Sequence, residues 1–129
     1  MIEAMSGLTG NVIEVALDAL SLQQRIHANN IANASANGFT AQRMDFENAL
    51  RTVTKTDGLQ ISDMKEQLQR LDARVNRGEL VRSSAQSGVE LDVEMAGMSE
   101  TVLKYQALIQ GLIQYNSMTA MAIAGDVNK

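Results

Sequence analysis

Proline, cysteine and tryptophan are all absent from these 129 residues. Aromatic residues make up only 3% of the chain. Without proline, no ring removes an amide hydrogen from a helix and clashes with its preceding turn, so long unbroken helices are permitted. Without cysteine there is neither a disulfide framework nor a thiolate metal site, a state compatible with any redox compartment. So few aromatics leave a large globular core without its usual anchors. A basic excess is missing too. The net charge is −4, which argues against the phosphate-binding surface of a nucleic-acid binder. The opening stretch MIEAMSGLTGNVIEVALDALSL lacks a basic region, and Glu14 and Asp18 interrupt its apolar run. Neither a cleaved secretory signal nor a direct membrane span is expected.

What is present suits helix-on-helix packing. Hydrophobic residues make up 45% of the chain, with eight methionines and many alanines to fill seams between helices. The length predicts one domain, 1–129. In its first segment, Val12, Val15, Ala19, Leu22 and Ile26 recur at alternating spacings of three and four. Ile13, Leu17, Leu20 and Ile31 form a second stripe beside them. This predicts a helix over 11–34, capped by Asn11 and wide enough on its apolar side for more than one neighbour. In the last segment, Leu91, Met95, Met98, Val102, Tyr105, Ile109, Leu112, Asn116, Thr119 and Ile123 hold a heptad spacing. That pattern predicts a coiled-coil-like helix within 89–124, about 50 Å long at 1.5 Å per residue. Gly97 and Gly111 inside it mark close approaches by another helix.

The middle, 35–88, reads as a turn, an extended piece and a partly helical insert. Met44, Phe46, Leu50 and Val53 suggest a short helix, Lys55–Gly58 a turn, and Ile61–Val75 a second helix capped by Ser62 or Asp63. Gly78 is placed to stop it, and Arg82–Gly88 reads as a linker. No alternating run is long enough to predict a sheet. The expected fold is all-α: long N- and C-terminal helices in an antiparallel coiled-coil-like hairpin, with the shorter insert between them.

Candidate chemistry is sparse. His27 is the sole histidine, and alone it cannot build a metal site, so an ordinary packed or interfacial position is expected. Glu90, Asp92 and Glu94 open the last helix, where acids favour the helix dipole more readily than they form a paired-carboxylate site. Ser83, Ser84 and Ser87 have no base nearby in sequence. These features predict no cofactor, no metal and no enzyme.

The stretch NNIANASANGFTAQRMDF is different. Asn29 and Asn33 continue the stripe begun at Val12, where apolar residues are expected. One reading is a frayed, solvated last turn. The other is an amide ladder that fixes the register of neighbouring helices, because a slipped partner leaves an amide unpaired. Asn37-Gly38 then supplies a turn with positive φ, and Phe39 folds back as an anchor.

Asn30-Ile31-Ala32-Asn33-Ala34 followed by Gly38-Phe39, with Asp45-Phe46 behind, resembles the N-terminal motif of the flagellar axial proteins, the family of rod, hook and hook-associated subunits. Val89-Glu90-Leu91-Asp92-Val93-Glu94-Met95, continuing to Met98 and Leu103-Lys104-Tyr105-Gln106-Ala107-Leu108, is similar to the C-terminal signature of rod members of that family. The two stretches cover roughly half of the chain and stand in the family's order. The chain departs in having Ala36-Asn37 where Thr-Pro is common, Thr101 in place of an asparagine, and a helical middle.

The resemblance implies a structural subunit of the bacterial flagellar basal-body rod, in its proximal part. It implies export without a cleaved signal by the flagellar type III apparatus, and assembly in the periplasm as a hollow drive shaft. The implied partners are other copies of the chain, other rod proteins, the rod-to-membrane-ring adaptor and the export gate. The expected assembly interface combines Asn29, Asn30, Ile31, Ala32, Asn33, Gly38 and Phe39 with Leu91, Met95, Met98, Val102, Tyr105, Ile109 and Leu112. A stand-alone helical adaptor or coiled-coil oligomer is the competing reading.

Overall fold

A computed structural model describes residues 2–55 and 58–127, with side chains described over 7–55 and 58–126. Four helices and two short strands follow in the order α1 (Ile2–Ala32), β1 (Gln42–Met44), α2 (Phe46–Thr54), α3 (Ile61–Asn76), β2 (Val81–Ser83) and α4 (Leu91–Val127). The chain is mostly helical, as expected, but the all-α expectation is corrected by a small sheet. β1 pairs antiparallel with β2, Gln42 opposite Ser83 and Met44 opposite Val81. Three-residue strands carry too little alternation to be read from sequence. They are held by flanking bonds, Ser84 N–H to Ala41 O at 2.7 Å and Gly88 N–H to Phe39 O at 3.3 Å. The expected Arg82–Gly88 linker is therefore strand at its start and is tied to the 39–44 segment.

The first helix begins far earlier than 11. Asn11 lies inside α1 and is not its N-cap. Gly7 and Gly10 lie inside it, although a glycine costs about 1 kcal/mol relative to alanine in a helix. Packing overrides that cost. A Cβ on Gly7 would lie 3.1 Å from Lys65 Nζ, and one on Gly10 would lie 4.0 Å from Tyr115 Cε1. The smallest residues stand where other helices come near.

α1 is the central element, packed against both α3 and α4. Gly7 lies beside Lys65, and Asp18 accepts a 3.5 Å hydrogen bond from Asn76 Nδ2. α3 therefore runs parallel to α1. His27 and Asn30 meet Glu94, while Gly10 faces Tyr115, so α4 runs antiparallel. The apolar core lies on the α3 side. Val15 and Ala19 of α1 meet Val53 of α2, Leu68, Leu71 and Val75 of α3, and Leu80. Phe46 packs against this cluster.

The ends of the inserted helices follow local chemistry. Asp45 caps α2 by accepting from the Asn48 amide. Gln60 holds the N-cap position of α3 and makes no side-chain cap bond, so neither Ser62 nor Asp63 serves that role; Asp63 sits in the first turn, where its charge still suits the dipole. Gly78 ends α3 as expected. Its φ is +71°, its N–H bonds to Val75 O, and Glu79 N–H bonds to Arg74 O, the paired closure that satisfies the last carbonyls. Lys55 closes α2 and Gly58 takes a positive φ, while Thr56 and Asp57 of the expected turn lie outside the described residues.

Candidate functional site

The end of α1, the start of α4 and β1 meet at a buried polar junction. Glu94 is fully buried in the first turns of α4. His27 Nδ1 lies 2.7 Å from Glu94 Oε2 and donates to it, since a carboxylate can only accept. Asn30, one helical turn on, donates from Nδ2 to the same oxygen at 3.1 Å. Arg43 of β1 stands 2.9 Å from Oε1 as an ion pair, but Oε1 receives no aligned hydrogen bond. Burial alone pushes the Glu94 carboxyl up. The bonds from His27 and Asn30 and the charge of Arg43 outweigh that effect and hold it below the ordinary glutamate range.

Asn30 has no exposed surface and does two things at once. Its Oδ1 accepts from Gln42 N–H at 2.9 Å, and its Nδ2 donates to Gln42 O at 2.9 Å. The carboxamide thus pairs with β1 much as a neighbouring strand would. Gly97 completes the junction. A Cβ there would come within 2.6 Å of His27 Cε1, closer than side chains can approach. Thr101, also buried, returns its hydroxyl to Gly97 O at 2.8 Å.

The expected interface residues divide. Asn30 is the only one that is fully enclosed. Asn29 and Asn33 bond to each other, Asn33 Nδ2 reaching Asn29 O at 2.8 Å and Oδ1 at 3.0 Å, so the buried amide is Asn30, not its neighbours. Ile31 is half-buried and Ala32 is exposed as the last residue of α1. Gly38 takes a φ of +76°, as the Asn-Gly turn requires. Phe39 is half-buried and lies outside the apolar core, where Phe46 sits instead.

On α4 the seam is turned. Met98, Val102, Ile109 and Leu112 are half-buried, but Leu91, Met95 and Tyr105 are 46%, 56% and 36% exposed. The buried positions of α4 are Glu94 and Thr101, one residue before the expected Met95 and Val102; further on, Leu108 and Tyr115 are half-buried as the expected Ile109 and Leu112 are. Glu94, read from sequence as an acid serving the helix dipole, is instead the enclosed centre of the junction. The signals that could have found it are the three-residue spacing of His27 and Asn30 on one face of α1 and the heptad that links Glu94, Thr101 and Leu108.

A second acidic group lies on the far side of α1. Glu14, Asp18 and Asp72 line a cleft of about 340 Å³ with Val15 and Leu68. Burial first, and then Asp18 and Glu14, push the Asp72 carboxyl up. Among the described residues, no three His, Asp or Glu side chains gather into a metal site. No described helix is long and apolar enough to cross a membrane.

No protein-family model matches the chain, and neither the curated proteins nor the solved structures include a match to it.

Proposed function

We propose that this chain is a structural subunit of a helical protein tube, one that works by packing against copies of itself and related chains. Within that class, the reading is a flagellar basal-body rod protein of the proximal, FlgB type. The observation that carries it is the meeting of the two motifs. Asn30 belongs to the NIANA stretch and Glu94 to the VELDVEM stretch, and the two side chains bond 64 residues apart in sequence. A motif pair that closes one junction behaves as a single structural device.

The rest agrees. The long α1 and α4 lie antiparallel, and the heptad spacing of α4 suits a coiled-coil-like hairpin. The outer side of α4 exposes Leu91, Met95, Leu103, Ile113, Met118, Met121 and Ile123. Those side chains need cover, and a tube of packed helices supplies it. In this reading the chain is exported without a cleaved signal and works in the periplasm beside the export gate and the ring adaptor.

The test is deletion of the gene in its host, followed by imaging of basal bodies. Membrane rings and export gates without a rod are the expected result. Complete, rotating flagella would overturn the reading and favour a stand-alone helical adaptor.

A further inference from the structure

We infer that the start of α4 docks in the α2–α3 groove of a second copy, giving a head-to-tail contact; this rests on the tube reading and names one of its joints. The two halves of the joint are visible on one chain. The groove has a volume of about 350 Å³. Ala49, Val53 and Leu71 supply its apolar wall, and Arg70 and Arg74 stand beside it. The arginine side chains are 72% and 46% exposed. Their partners within the chain are Glu66 and Glu79, both exposed and screened by water.

The knob is the first turns of α4. Leu91 and Met95 project from one side of the helix at 46% and 56% exposure, with half-buried Val102 two turns further on. Glu90 and Asp92 flank Leu91, both exposed and without an ion pair among the described residues. An apolar tip between two free acids matches an apolar wall beside two arginines. Over the whole sequence the insert 35–88 is nearly neutral, with eight basic and seven acidic residues, while the rest of the chain is acidic, with three basic and eight acidic residues. The charge match therefore lies at Arg70 and Arg74 against Glu90 and Asp92, with the acidic terminal segments on the same side of the balance.

Different surfaces meet in this contact, so a joined pair keeps one free knob on one copy and one free groove on the other. Such contacts extend into an open array when the rotation between copies does not close a ring. Charge pairs at the rim steer the approach and weaken with salt.

The test uses the absence of native cysteine. Gln67→Cys is placed in one preparation and Met95→Cys in another, and the two are mixed and oxidised. A covalent heterodimer in the mixture, at a yield neither preparation reaches alone, is the expected result. Arg70→Glu with Arg74→Glu in the groove partner should lower that yield about tenfold or more, because like charges then face each other. Glu90→Lys with Asp92→Lys in the knob partner should restore it. Arg70→Gln with Arg74→Gln gives a milder loss and keeps the test readable if the reversal unfolds α3. No cross-link in the mixture, or a yield indifferent to the charge changes, overturns the joint. Either result leaves the tube reading to the gene deletion. Cross-links from a chain whose deletion leaves flagella intact would keep the joint and discard the tube.

Discussion

Glu94 gathers His27, Asn30 and Arg43 around one buried carboxylate, and these surroundings make its charge state consequential. Its carboxyl is held below the ordinary range, so its contribution to stability is present above that range and is lost as pH falls through the depressed value. Acid titration followed by circular dichroism should show a loss that is absent in Glu94→Gln. At neutral pH that substitution should cost about 1–3 kcal/mol, since His27 and Asn30 lose a charged acceptor. Gly97→Ala tests the close approach directly. An alanine normally gains about 1 kcal/mol in a helix, but here its methyl group meets the His27 ring. A net loss of about 1–3 kcal/mol is expected in denaturant unfolding, as in other overpacked sites. Asp72 has the opposite sign. Its carboxyl is pushed up, so its favourable contribution exists at low pH and is lost as pH rises through the raised value. Asp72→Asn should therefore raise the thermal midpoint at neutral pH, and a lowered midpoint would remove the repulsion argument.

The helices divide into those whose reading needs only local pattern and those set by their neighbours. α3 was legible from Ile61, Leu68, Leu71 and Val75 together with its terminal Gly78, because one apolar stripe meets one core. Leu68→Ala should cost about 2–5 kcal/mol, measured by urea unfolding, since Leu68 is 1% exposed. The start of α1 was hidden because the apolar stripe counts from Val12 and Asn11 has the chemistry of an N-cap, whereas the helix begins at Ile2. The seam of α4 was hidden for another reason. Hydrophobicity favours Met95, Val102 and Ile109, but Glu94 must reach His27 and Asn30, and that requirement turns the helix toward its polar side. Sequence periodicity weighs oil against water and has no term for a distant partner. The two strands escaped for the same reason, since β1 is held by Asn30 and by β2 rather than by its own alternation.

At the scale of the molecule, the C-terminal half of α4 is unlike the rest. From Tyr105 to Gly125 it carries no charged residue, while Ile113, Met118, Met121 and Ile123 are all more than half exposed. If the chain assembles as proposed, Ile113→Asp should leave the helix content of the isolated chain unchanged and block that assembly, because a buried unpaired charge is costly only once partners cover it. Sedimentation and basal-body imaging on the same variant would separate the two effects. The junction itself has a consequence in time. In the proposed rod reading, a chain exported with its first residue leading would present His27 and Asn30 long before Glu94, which trails them by 67 and 64 residues. Closing so long a loop comes late, after local helices have formed. Until then the polar end of α1 would have no Glu94 carboxylate to hold, and on that reading the leading segment would stay pliable while the rest is still threading.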